Sequence, residues 1–154
     1  MTATARIPVA KDLFRWSDGN VELIGSRCQG CGTHYFPKRL SCCNPDCQEK
    51  EVIEVQFSGC GRLYSYTVQE YRPPPLFKME AWSPYAIGVI ELPEGLRVMG
   101  MLTGLTLDEI AIDMAVELTV DALYRDEQGR EVMTYKFKPA DNGKRQRDPG
   151  VRLA

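Results

Sequence analysis

The chain has 154 residues, 44% of them hydrophobic and 26% charged, with 19 basic against 21 acidic side chains. That length fits one ordinary domain or two small ones, and the composition excludes a largely disordered chain. No stretch approaches the roughly 18 apolar residues of a membrane span, and the opening MTATARIPVAKDLFRW lacks the apolar core of a signal peptide. A cytoplasmic protein without membrane contact is expected.

Charge is spread unevenly. Residues 57–137 carry 7 basic and 12 acidic side chains, whereas residues 138–154 carry 5 basic and 2 acidic. An acidic body repels a phosphate backbone, so no nucleic-acid partner is expected. With no secretory leader read, six cysteines point to metal ligation or reactive thiols rather than to a disulfide framework.

Residues 1–24 form a lead-in. Leu13, Phe14 and Trp16 make a small apolar cluster after Pro8, and the reading is a short helix ended by Ser17-Asp18-Gly19-Asn20. Residues 25–56 hold five of the six cysteines. Cys28-Gln29-Gly30-Cys31-Gly32 is a knuckle that turns two thiolates toward one point, with glycine relieving the backbone where it curls. The second half, Cys42-Cys43-Asn44-Pro45-Asp46-Cys47, offers either Cys42 or Cys43 beside Cys47. Between the halves there is room for a short hairpin carrying His34-Tyr35-Phe36-Pro37.

Four thiolates suit a closed structural zinc site, and a segment of about 30 residues is too small to fold on a core of its own. Iron fits the same all-sulfur cage chemically, but zinc is the default. The leftover thiols, Cys60 and one of Cys42 and Cys43, read as inert. His34, the sole histidine, lies close enough to replace a cysteine, though the thiols suffice without it.

Residues 57–139 read as strands and turns. Segments 62–71, 85–92, 96–103, 116–124 and 131–138 are rich in β-formers and separated by turn residues, with one helical turn or irregular bridge at 107–112. Five strands with two hairpins suit an OB-like barrel better than a sandwich. Residues 140–154 form a basic tail. The fold class expected is thus mainly β: a helical lead-in, a four-cysteine ribbon at 25–56, and a five-stranded barrel.

Two further features bear on partners. The connection RPPPLFKMEAWSP carries large apolar residues, among them Phe77 and Trp82, which either meet a partner or fold back over the barrel end. In the tail, Lys144, Arg145 and Arg147 can meet phosphates of a ligand or acidic groups of a partner, or stay solvated. There is no GxSxG, GxGxxG, P-loop or HExxH, and general-base candidates are few, so catalysis by this chain alone is not expected. The acidic pairs Asp108-Glu109 and Asp126-Glu127 read as solvated turn residues.

Together RCQGCGTHYFPKRLSCCNPDC, SGCGRLYSYTVQEYRPPP, PYAIGVIELPEGLRVMG and MTYKFKPA resemble a family of small acyl-CoA-associated proteins. That family pairs a rubredoxin-like zinc ribbon with an OB-fold domain, and the resemblance covers about residues 10–140. It implies a non-catalytic small subunit of a thiolase-type acyltransferase, joined in a hetero-oligomer to a thiolase-fold catalytic subunit. Coenzyme A or acyl-CoA is then a shared ligand, and Phe77, Trp82, Lys144, Arg145 and Arg147 are the candidates to contact either the partner or coenzyme A. Family members with aldolase or hydratase partners keep that alternative open, as OB folds that bind single strands keep a nucleic-acid module. Matching the family's FPxR motif to Phe36-Pro37-Lys38-Arg39 implies the ligands Cys28, Cys31, Cys42 and Cys47 and structural Zn(2+), with Cys43 still an open alternative to Cys42.

Overall fold

The computed structural model describes residues 3–17, 19–72 and 82–140. Ten strands follow one another there: β1 (Arg6–Pro8), β2 (Phe14–Ser17), β3 (Asn20–Cys28), β4 (His34–Tyr35), β5 (Val52–Phe57), β6 (Gly61–Gln69), β7 (Tyr85–Glu91), β8 (Arg97–Leu102), β9 (Ala115–Arg125) and β10 (Glu131–Pro139). The only other regular element among these residues is a 3-10 turn at Leu107–Glu109.

Strands β6 to β10 close a five-stranded barrel. β7 pairs antiparallel with β6 and β8, β10 runs parallel to β8 and antiparallel to β9, and β9 returns to β6 at Gly61↔Val116 and Arg62↔Ala115. This is the Greek-key connectivity of an OB fold. On β7 the alternation is strict, with Ala86, Gly88 and Ile90 facing inward. Gly88 lies opposite Gly100 on β8. A methyl group at Gly88 would come within 2.8 Å of Leu63, and one at Gly100 within 2.7 Å of Phe137. The two glycines leave the barrel interior to those larger side chains. A bulge interrupts β6 between Leu63 and Ser65; Leu63 is fully buried whereas Tyr64 and Tyr66 are exposed. The Arg97 guanidinium lies 3.6 Å above the Tyr64 ring.

The lead-in is not helical. Phe14 and Trp16 lie on β2, which pairs with β3 from Phe14↔Leu23 to Ser17↔Asn20. Ser17 opposite Asn20 leaves a two-residue connection, and Gly19 takes φ +85 there, a backbone setting that a tight hairpin demands. Strand pairing and burial of Phe14 outweigh the local helical reading. β1 adds a short parallel strand beside β10, from Arg6↔Glu131 to Pro8↔Met133.

β3 is the centre of a second sheet. It carries β2 and β4 along its length and β5 as a further antiparallel partner, Leu23↔Phe57 to Cys28↔Val52. Phe14, Leu23 and Phe57 from this sheet share one buried cluster with Leu63, Ile90, Val116 and Phe137 of the barrel. Barrel and second sheet are therefore welded through one core. The far end of β3 runs out of that core and delivers Cys28 to a separate small cluster.

Candidate metal centre

Two chain reversals face each other beyond the end of β3. In the first, the Cys28 N–H donates to the Thr33 carbonyl and the Gly32 N–H to the Cys28 carbonyl, at 2.9 and 3.0 Å. Gly32 has φ +77, which only glycine adopts without strain. In the second, the Cys47 N–H donates to the Asn44 carbonyl at 3.1 Å, and the Asn44 side-chain oxygen accepts from the Asp46 N–H at 3.0 Å. Two further bonds fasten this turn to the stretch after it: the Cys42 N–H donates to the Lys50 carbonyl, and the Lys50 ammonium donates to the Asn44 carbonyl. A bond from the Gln29 N–H to the Glu51 carbonyl, 2.8 Å, ties the two reversals together.

The sulfurs of Cys28, Cys31, Cys42 and Cys47 all lie within 4.8 Å of one another. Cys28 and Cys47 approach to 3.6 Å, as do Cys31 and Cys42. A tetrahedral metal with sulfur bonds of about 2.3 Å requires sulfur–sulfur edges of about 3.8 Å. Distances and donor type therefore fit zinc or another thiophilic ion of its size. Cys28, Cys42 and Cys47 are buried and Cys31 is exposed. Cys43 is exposed and outside the group, its sulfur 3.9 Å from the Ser41 carbonyl.

Hydrogen bonds and burial shift three of the thiols in different directions. The Cys31 thiol is lowered to about 6, first by the Thr33 hydroxyl at 3.1 Å and then by the Thr33 N–H. Cys28 is pushed up to about 11: the Cys31 N–H draws it down, but burial and the neighbouring thiols of Cys47 and Cys42 outweigh that pull. Cys47 is held below the usual thiol range, chiefly by the Lys50 N–H. The sulfurs thus differ in proton affinity, and a divalent ion entering the group displaces the protons that remain.

Tyr35, on β4, packs against this cluster beside Val52. Its hydroxyl lies 3.1 Å from the Cys42 sulfur and accepts from the Cys43 N–H at 2.9 Å. Its phenol is raised above its usual value, first by the bond to Cys42 and then by burial. Tyr35 does not stand out in the sequence, because its reach to the Cys42 sulfur depends on how β4 registers with β3; Thr33 reaches Cys31 locally, two residues on. His34 is not among the four donors. Its ring meets Phe57 edge-on at 5.7 Å.

Of the residues proposed for partners, Trp82 is half-buried, and its indole nitrogen is shielded with no hydrogen-bond partner. Phe77, Lys144, Arg145 and Arg147 lie outside the described residues. The acidic pairs have structural work: Glu109 accepts from the Thr106 N–H and hydroxyl, and Asp126 binds Arg130. Among the described residues no helix is long and apolar enough to cross a membrane.

Comparison with known proteins returns two adjoining family models. Residues 16–52 match the rubredoxin-like zinc ribbon domain of ChsH2, and residues 54–121 match the C-terminal OB-fold domain of ChsH2. A DUF35 domain-containing scaffold protein of Methanocaldococcus jannaschii is 39% identical over 122 residues, which is 78% of this chain and 83% of that protein. The benzoylsuccinyl-CoA thiolase subunit BbsA of Thauera aromatica is 33% identical over 79% of this chain and 80% of its own length. Among solved structures, a chain of the Ltp2-ChsH2(DUF35) aldolase superposes with a TM-score of 0.60 at 32% identity, covering 78% of this chain and 86% of the other.

Proposed function

Because the chain belongs to the DUF35 family, in which a rubredoxin-like zinc ribbon precedes an OB-fold domain, we propose that it is a non-catalytic accessory subunit of a heteromeric acyl-CoA enzyme. The observation that carries this is likeness over nearly whole lengths. The chain and the thiolase subunit BbsA each match over about four fifths of themselves, 79% and 80%. The match thus spans most of both sequences. In this reading the chemistry belongs to a larger partner subunit.

The partner we favour is a thiolase-fold subunit that carries the nucleophilic cysteine and general base and cleaves a carbon–carbon bond by acyl transfer to coenzyme A. A benzoylsuccinyl-CoA type of substrate is the specific case, supported by the two BbsA relatives. Aldolase or hydratase partners are the alternative, supported by the Ltp2-ChsH2 aldolase likeness and by a probable enoyl-CoA hydratase alpha subunit among the relatives. In this reading Cys28, Cys31, Cys42 and Cys47 hold structural zinc, which when bound cross-links the two reversals and leaves no open coordination position. The fixed ribbon and the barrel then complete or cover the partner's acyl-CoA channel. Phe77 and Trp82 meet the partner, and Lys144, Arg145 and Arg147 meet coenzyme A phosphates.

Purification of the tagged chain from its native cells, with metal analysis and identification of what co-elutes, tests this reading. Zinc at one per chain with a thiolase-like subunit in fixed ratio is the expected result. A chain recovered alone, or with nucleic acid that salt removes, contradicts it.

A further inference from the structure

We infer that Tyr35 is a positioning residue that selects Cys42 over its neighbour Cys43 as the third sulfur of the cage. This rests on the reading that the four sulfurs hold a metal.

Sequence spacing allows either cysteine, and the two thiols diverge in the fold. Cys42 is 5% exposed and lies inside the sulfur group, whereas Cys43 is exposed. One phenol addresses both residues. The Cys43 N–H donates to the Tyr35 oxygen at 2.9 Å, which occupies a lone pair and leaves the phenolic hydrogen to point elsewhere. The Cys42 sulfur is 3.1 Å from the same oxygen. Once Cys42 is a thiolate, the phenol is the only possible donor in that contact.

The result is a relay from the Cys43 N–H through the Tyr35 hydroxyl to the Cys42 sulfur. It aims the Tyr35 hydroxyl at the Cys42 sulfur and spends the Cys43 backbone on holding the phenol. The Cys42 N–H to the Lys50 carbonyl, 3.0 Å, pins the preceding peptide unit, and the Asn44 N–H adds a second donor to the Cys42 sulfur at 3.4 Å. Bringing Cys43 into the cage would turn this segment and break the relay. Tyr35 itself cannot drift, because β4 is paired with β3 at Ser26↔Tyr35. Outer groups that hydrogen-bond a metal ligand commonly carry about 10–100-fold in metal affinity.

The test uses the full chain loaded with zinc or cadmium. Limited alkylation followed by peptide mass mapping is expected to modify Cys43 and spare Cys42 in the wild type. In Tyr35→Phe, which keeps the ring, Cys42 becomes modifiable and metal affinity falls about tenfold. Cys43→Ser alone leaves affinity unchanged, but added to Tyr35→Phe it lowers affinity further, because the substitute ligand is gone. Cadmium NMR on the wild type gives a readout that needs no variant: the metal couples to the β-protons of Cys42 and not of Cys43. Coupling to Cys43 overturns the inference, as does a Tyr35→Phe chain with Cys42 still protected and affinity unaltered. A chain that takes up neither metal overturns the metal reading as well, which separates the two failures.

Discussion

Gly25 shows how much a single missing side chain decides. It lies in the middle of β3 opposite Val55, and a methyl group there would collide with the Phe57 ring and the Tyr35 carbonyl. The position joins the barrel core, through Phe57, to the strand that carries Tyr35 toward the cysteines. Gly25→Ala is expected to destabilise the chain by about 1–3 kcal/mol, the usual cost of forcing extra volume into a packed core. Denaturant unfolding measures it, with metal content determined in parallel. At this scale the sequence was legible where chemistry is local. Cys28 and Cys31 sit one knuckle apart, and their spacing alone announces a site. The choice between Cys42 and Cys43, and the parts of Thr33 and Tyr35, were not legible, because they arise from contacts across a turn.

Among elements, the barrel was the readable half. Its five strands fall within a residue or two of the segments expected, since period-two alternation and turn residues mark each one. The second sheet was not readable as strands. Val52–Phe57 has mixed burial and Asn20–Cys28 is buried along four consecutive residues, so neither alternates. The Leu13–Trp16 cluster misled for the same reason, its conformation being settled by pairing with β3. The β9–β10 hairpin allows a pH test. Its turn residue Asp126 accepts from the Gln128 and Arg130 N–H groups and pairs with the Arg130 guanidinium at 2.7 Å. Burial works to raise this carboxyl, but the Arg130 N–H and guanidinium and the Gln128 N–H outweigh it and hold it below the usual value. A carboxyl with a lowered folded value stabilises the fold fully above its unfolded value of about 3.9, and that contribution disappears as pH falls through the folded value. Asp126→Asn should therefore be less stable than wild type at neutral pH, with the gap closing below about pH 4. Thermal melts across that range give the answer; a gap that stays constant into acid would remove the carboxylate from the explanation.

The whole molecule has one core and one cage, with β3 running from the first to the second. Because Phe14, Leu23 and Phe57 are packed into the barrel cluster, the inner part of the second sheet does not depend on metal. The cage end is expected to: among the described residues, the hydrophobic side chains packed against the cysteines are Tyr35 and Val52. Chelation is therefore expected to release hydrogen-exchange protection around residues 28–52 while the barrel amides stay protected. Loss of protection throughout the barrel would mean that the two parts fold as a single metal-dependent unit.

A larger enzyme is expected to act on acyl-CoA only together with this chain, which is expected to catalyse nothing itself. The most direct measurement is thiolysis by the co-purified catalytic subunit, assayed alone, with the zinc-loaded chain, and with the chain stripped of metal. Activity that appears only with the zinc-loaded chain and saturates at a fixed subunit ratio is the expected result. Full activity of the large subunit alone, or turnover by this chain without it, would contradict the account.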